Sequence, residues 1–265
     1  MKSFIRWAGS KRKILRDLEA LWIESGSERY IEPFCGSACL FFHIEPGEAI
    51  LGDTNEWLCL TLDCISEDPD AVFDKLSTMT RNKEIFKKVR SIHYSKFSKI
   101  NAAAYFLYLN RLCFNGLFRT NKKGLFNVPY ADNKTGPFPS QEVLRNASAI
   151  LKNAKVLSAD FFETVVENLE ENDFVYLDPP YATANVRVFR QYSPFTFGIE
   201  DIQRLSSLLR IIDLKGGKFV MSYADTTEIA HLKSTWHCQY LAVLRNISGF
   251  TKGRKRTNEV VITNF

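Results

Sequence analysis

Long apolar runs are the first thing this 265-residue sequence lacks. No stretch approaches the roughly 18 uninterrupted apolar residues that a membrane-spanning helix needs, because Arg, Lys, Asp or Glu breaks every candidate. A soluble protein without a membrane partner is expected. The opening residues, MKSFIRWAGSKRKIL, have neither the apolar centre nor the small-residue cleavage site of a secretory leader, so export is not expected. Cysteines are few: Cys35, Cys39, Cys59, Cys64, Cys113 and Cys238 lie mostly in apolar runs, as buried free thiols of a reducing cytoplasm do. Neither close pair has C-x-x-C spacing and His43 is the only histidine near them in sequence, so no metal is expected. The glycine-rich phosphate loops GxGxxG and GxxxxGK[ST] are missing as well, which lowers a dinucleotide or ATP reading.

What is present is an ordinary globular composition, 45% hydrophobic and 25% charged, long enough for one large domain or one domain with an insertion. The net charge of +5 fits a polyanionic partner. Its basic residues cluster at Lys2 to Arg16, at Arg119, Lys122 and Lys123, and at Lys252, Arg254, Lys255 and Arg256. Short apolar runs bounded by turn residues recur at 30–34, 49–53, 155–160, 174–180, 218–223, 240–247 and 259–265. Several are apolar without alternation, as strands covered on both faces are. Helix-like segments lie at 11–23, 161–169 and 199–214, the last with Ile202, Leu205, Leu208, Leu209 and Ile212 at helical spacing. This order predicts a parallel α/β sheet, with the last two runs forming an antiparallel pair at one end. Residues 56–153 hold helical patterns such as 102–112 and the Gly- and Pro-punctuated stretch 115–139, but no βαβ unit. They read as an insertion between the second and third strands, dividing the chain into 1–55 with 154–265 and a helical 56–153.

The sharpest chemical signal is Asp178-Pro179-Pro180-Tyr181 at the end of the run FVYL. The carboxylate of Asp178 and the carbonyl of Pro179 form a stiff pair of acceptors for the two hydrogens of one exocyclic amine, and Tyr181 offers a face for stacking. Accepting both hydrogens draws an amine nitrogen toward a pyramidal, nucleophilic geometry. A second signal, Glu32-Pro33-Phe34-Cys35-Gly36-Ser37-Ala38 after a strand start, is followed by Asp53 at the end of the next strand. A tight strand-to-helix turn with an acid at the tip of the second strand suits a nucleoside and its ribose diol, although a plain βα turn reads the same way. A third, Phe4-Ile5-Arg6-Trp7-Ala8-Gly9-Ser10-Lys11, places Trp7 to cover a cofactor and Lys11 to meet that cofactor's carboxylate, or is simply a terminal segment with a solvated basic helix.

Taken in order, these segments resemble the Dam-like DNA adenine-N6 methyltransferases of bacteria and phages, over nearly the whole chain. FIRWAGSK is similar to the family's WAGGK segment, IEPFCGSA to its cofactor loop, LGDTNEWL to its ribose-binding acid and DPPY to its catalytic tetrapeptide. YFLYLNRLCFNGLFRTNKKGLFNVPYA resembles its recognition segment, and RNISGFTKGRKRTNEVVITNF its closing basic loop and hairpin. The resemblance implies a Rossmann-like methyltransferase sheet, mostly parallel with an antiparallel C-terminal hairpin, carrying a helical target-recognition insertion. It implies S-adenosylmethionine held by Trp7, Lys11, Phe34, Gly36, Asp53, Asp160, Phe161 and Asp178, with catalysis by Asp178, Pro179, Pro180 and Tyr181. It also implies a monomer acting on double-stranded DNA in the cytoplasm of a bacterial or phage-infected cell, at GATC or a related short site, in restriction-modification or other DNA methylation. Arg119 matches an arginine placed on guanine, Phe114 and Asn115 flank the gap left by a flipped adenine, and Leu117 and Pro129 touch bases. Arg6, Lys252 and Arg254 hold phosphates. The sequence departs from the family at Ser10 and Ser37-Ala38, where relatives have glycine. It departs again around Asn133, where an aromatic can read the outer base, and in the shorter segment after Tyr181. A catalytically weakened DNA-binding homologue, or methylation of cytosine N4 or RNA adenine, are the alternative readings.

Overall fold

The computed structural model describes residues 1–131, 135–181, 197–244 and 256–265. A seven-stranded sheet runs through its centre in the order β3-β2-β1-β4-β5-β7-β6. The strands are β1 (Arg29–Glu32), β2 (Glu48–Asp53), β3 (Ala154–Ser158), β4 (Phe174–Leu177), β5 (Lys218–Ala224), β6 (His237–Leu244) and β7 (Arg256–Thr263). β1 to β5 pair in parallel, and β7 runs antiparallel between β5 and β6. This is the predicted mostly parallel sheet with its terminal antiparallel pair.

Both faces of the sheet are covered because its strands are apolar at even and odd positions alike. Tyr30, Leu51, Phe174, Tyr176, Val220 and Val261 point into one core. Their strand neighbours Ile31, Ile50, Val175, Leu177, Phe219, Met221, Val260 and Ile262 point into the other. The second core is closed by α8 (Phe161–Val166), α9 (Ile199–Leu214) and α10 (Ala230–Thr235), with Leu205, Leu208 and Ile212 of α9 fully buried as their spacing predicts.

The first core is closed by α1 (Leu15–Ser25), α2 (Phe41–Ile44) and the helices between β2 and β3. These are α3 (Glu56–Glu67), α4 (Pro69–Ser77), α5 (Lys83–Arg90), α6 (Lys99–Leu112) and α7 (Gln141–Leu151). Four of these five starts have a local cause. Asn55, Asp68, Asn82 and Ser140 cap α3, α4, α5 and α7 by accepting a backbone N–H with their side chains. The 56–153 segment shares the core of the sheet face, through Trp57, Leu58 and Phe106.

Two boundaries differ from the periodicity. Helix α1 begins at Leu15 rather than residue 11, because Lys11 turns inward to an ion pair and the chain spends residues 11–14 in turns. Helix α8 stops at Val166, where Asn168 N–H reaches back to the Val165 carbonyl at 3.2 Å and tightens the last turn.

Candidate functional site

Strands β1, β2, β4 and β5 all end at one edge of the sheet, and strand order reverses between β1 and β4, the usual position of a ligand crevice in such sheets. Asp178 is the first residue beyond β4 and is 21% exposed. Pro179 follows it without an N–H, so the sheet ladder ends there. The Asp178 carboxylate is fixed through Oδ1, which accepts the Ser222 hydroxyl at 3.2 Å and forms an ion pair with Lys11. Ser222 in turn lies 3.0 Å from the Tyr176 hydroxyl. With the serine donating to Asp178, the tyrosine donates to the serine, forming a buried relay from β4 through β5 to the acid. Burial, followed by the Asp178 charge, pushes the Tyr176 phenol well above its ordinary pKa and keeps it a donor. Tyr181 stands edge-on to Tyr223 with centroids 5.1 Å apart, and the Lys11 ammonium lies 5.8 Å from its ring centre. The structure thus brings Lys11, Asp178 and Tyr181 together. Ser222 and Tyr176 join them without a sequence signal, since a strand Ser or Tyr ordinarily reads as sheet core.

On the β1–β2 side, Asp53 ends its strand with both oxygens used by backbone. Oδ2 accepts Gly36 N–H at 3.0 Å and Oδ1 accepts Asn55 N–H at 2.9 Å. Each oxygen retains a further lone pair, which fits a diol. Burial raises the Asp53 pKa, and those two N–H groups pull it back. Gly36 adopts φ 46° beneath the Trp7 ring, so a side chain there would meet the indole. Ala38 also takes a left-handed φ of 48°, which is why glycine suits this loop and why the alanine stores some strain. Phe34 stacks on Phe161 at 5.0 Å, giving a flat apolar floor. Asp160 caps α8 through Phe162 N–H and pairs with Arg204, whose guanidinium lies 4.7 Å from the centre of the Phe161 ring. Arg204 went unrecognised because it is one exposed cation on an amphipathic helix. Among the described residues, no group of three or more His, Cys, Asp or Glu is placed to hold a metal ion.

Glu32 is a second buried acid at this edge, hydrogen-bonded by Tyr30 at 3.0 Å. Burial first, then the nearby Asp178, raises its pKa well above the carboxylate range. The folded protein therefore holds a proton that the unfolded chain releases above about pH 4.3, and stability falls as pH rises until Glu32 ionises. Glu32→Gln is expected to remove that decline while keeping an acceptor for Tyr30. Urea midpoints from pH 5 to 8 test this; parallel curves for both proteins would contradict it.

The recognition stretch forms a narrow loop that returns on itself. Cys113 bridges Tyr130, Thr120 bridges Phe126, and Asn127 N–H donates to the Arg119 carbonyl at 2.9 Å. Its base holds Phe114, 50% exposed, and exposed Pro129, whose carbonyl accepts Phe114 N–H at 2.9 Å. Asn115 and Gly116 turn the chain with φ 54° and 64°, and a Cβ on Gly116 would lie 2.6 Å from Arg6 Cβ. Leu117 and Arg119 are half-buried along one arm, with Arg119 Nε donating to Asn127 Oδ1 at 2.8 Å. Arg6 is turned to the end of α6, donating to the Arg111 carbonyl at 2.9 Å, a capping contact that charge clustering could not reveal. Buried Asn110 binds the Arg6 backbone at both N–H and carbonyl, at 3.0 and 2.6 Å. Trp7 stacks on Phe118 at 6.0 Å, so the crevice and this loop share one aromatic wall. Lys252, Arg254, Asn133 and the segment just after Tyr181 lie outside the described residues.

Residues 7–247 match the family described as D12 class N6 adenine-specific DNA methyltransferase. The chain is 32% identical to the type II methyltransferase M.MjaIII of Methanocaldococcus jannaschii, covering 100% of this chain and 99% of that protein. It is 30% identical to the retron Ec67 DNA adenine methylase of Escherichia coli, over 98% of this chain and 90% of that one. Against a DNA adenine methylase of Vibrio cholerae the identity is 28%, over 98% and 95%.

Proposed function

The chain belongs to the D12 class of N6 adenine-specific DNA methyltransferases, and from that premise we propose that it methylates an adenine extruded from duplex DNA, with S-adenosylmethionine as donor. The observation that carries this reading is the Asp178 carboxylate, pinned by Lys11 and Ser222 at the crevice with Tyr181 alongside. When bound, S-adenosylmethionine supplies a methyl group already activated on a sulfonium centre. The residues fit such a donor. Asp53 retains lone pairs for a ribose diol, Phe34 and Phe161 provide a flat apolar surface beside Asp160, and Trp7 closes over Gly36. Lys11 and Asp178 complete the pocket, with no metal in the scheme.

The chain's own work is orientation. N6 of a stacked adenine is out of reach, so the base is extruded at a cost of a few kcal/mol and received beside Phe114 and Asn115. Asp178 and Pro179 accept its amino hydrogens while Tyr181, held beyond the stiff Pro180, lies along the ring. Holding the amine in line with the donor supplies most of the acceleration. Arg6, Lys252 and Arg254 serve the phosphates, Leu117 and Pro129 touch bases, and Arg119, with Nε braced by Asn127, reads guanine in GATC or a related short site. A monomer suffices for these steps.

The test is to incubate the purified protein with plasmid and S-adenosylmethionine, quantify N6-methyladenine by mass spectrometry and map the modified positions. N4-methylcytosine in place of N6-methyladenine, or no modified base, would reject the reading. Arg119→Ala is expected to relax site preference by roughly 1–3 kcal/mol while general DNA affinity changes little. An unchanged preference in a competition assay would remove Arg119 from base reading.

A further inference from the structure

Behind Asp178 lies a buried acid that the scheme above does not use. Glu259 belongs to β7 and pairs in register with Ala224 at the end of β5. Because β7 runs antiparallel, its early residues arrive at the edge where the parallel strands finish, and Glu259 approaches the crevice from the side opposite the cofactor loop. It is 1% exposed. Its Oε1 lies 3.4 Å from Lys11 Nζ and accepts the Tyr181 hydroxyl at 3.4 Å. Lys11, 7% exposed, therefore lies between two carboxylates, one from β7 and one just beyond β4. Burying a carboxylate is costly even when it is paired, and an apolar residue of similar volume ordinarily serves a fold as well or better. The contacts of Glu259 with two members of the site give it a task beyond holding the sheet.

We propose that Glu259 is a positioning residue for methyl transfer: it shares Lys11 with Asp178 and anchors the Tyr181 hydroxyl. Among the described residues, Lys11 and Ser222 both bind Asp178 Oδ1, which in this scheme leaves Oδ2 for the amine. With Glu259 neutral, the ammonium turns its full charge on Asp178, which becomes a weaker acceptor for the N6 hydrogens. The Glu259 carboxylate also holds the Tyr181 hydroxyl and so helps to fix the direction of its ring. This inference rests on Asp178 being the acceptor of the amine.

The experiment measures single-turnover methylation of a duplex alongside donor affinity, DNA affinity and melting temperature. Glu259→Gln keeps an acceptor for Tyr181 but removes the charge. It is expected to lower the single-turnover rate by about 10²-fold, the scale of an ångström-sized misplacement, with both affinities within about threefold of wild type. Glu259→Asp keeps the charge at shorter reach and is expected to fall between, which preserves the test if the glutamine variant melts early. In a Lys11→Gln background the further substitution of Glu259 is expected to add little, because the shared ammonium is gone. A full rate for Glu259→Gln beside an inactive Asp178→Ala overturns this inference alone, as does full additivity with Lys11→Gln. Absence of N6-methyladenine with the wild-type protein overturns the underlying reading.

Discussion

Asp178→Ala is expected to stop methyl transfer and leave a folded protein that binds duplex DNA within a few fold of wild type. As N6 attacks, its nitrogen gains positive charge, and a carboxylate already fixed at the crevice stabilises that charge more in the transition state than in the ground state. Loss of one preorganised group of this kind costs about 10²–10³-fold in rate. Asp178 provides both the acceptor and the charge, so a loss at the upper end is expected. The fold should tolerate the change because Lys11 keeps Glu259 at 3.4 Å and Ser222 keeps Tyr176 at 3.0 Å. Asp178→Asn retains the shape and one acceptor oxygen without the charge, and should fall between. Single-turnover methylation with labelled donor, read beside an electrophoretic DNA-binding assay, decides the matter. A rate within about tenfold of wild type for Asp178→Ala would remove it from the chemistry.

The parts of this molecule that were legible in its sequence are those written locally. Strands β2, β4 and β5 are legible as largely apolar runs without alternation because both sheet faces are buried. Asp53 and the 178–181 tetrapeptide stand out in the sequence as candidates because a parallel strand presents its last residues to that edge, so polar groups there follow the apolar run directly in the chain. Ser222, Tyr176 and Glu259 could not be found that way. Ser222 and Tyr176 lie within strands and act across neighbouring ones, and Glu259 reaches the same edge only because β7 is reversed. Lys11 shows the same limit from the other direction. Its charge suggested a partner, yet only the fold shows that Asp178, 167 residues away in the chain, is that partner in this structure. Arg6 stands among basic neighbours in the sequence, and only the fold shows that its guanidinium also donates to the Arg111 carbonyl at the end of α6. Charge in a sequence thus indicates that a partner exists, and the partner's identity is a property of topology.

Gly36→Ala is expected to destabilise the protein by roughly 2–5 kcal/mol and to remove most of its affinity for S-adenosylmethionine. Two costs add. The residue sits at φ 46°, where an L side chain costs about 1–2 kcal/mol. A Cβ built there would also stand 2.6 Å from Trp7 Nε1 and 2.7 Å from its Cδ1. The indole cannot simply withdraw, because it is stacked on Phe118 at 6.0 Å and Phe106 at 6.5 Å, and forced overpacking costs about 1–3 kcal/mol more. At about 2–4 °C per kcal/mol for a domain of this size, the melting temperature should drop by roughly 4–20 °C. The effect on binding follows from the same displacement. If the loop moves to relieve the clash, Gly36 N–H leaves Asp53 Oδ2, now 3.0 Å away, and the acid loses one of the two backbone contacts that fix it. Gly47→Ala supplies the control, since a Cβ there meets nothing within 4 Å; its melting temperature and donor affinity should match wild type or exceed it slightly. Thermal melts and calorimetric titration with the donor distinguish the pair. If Gly36→Ala melts with wild type and binds the donor equally well, the Trp7–Gly36–Asp53 arrangement does not form the donor pocket.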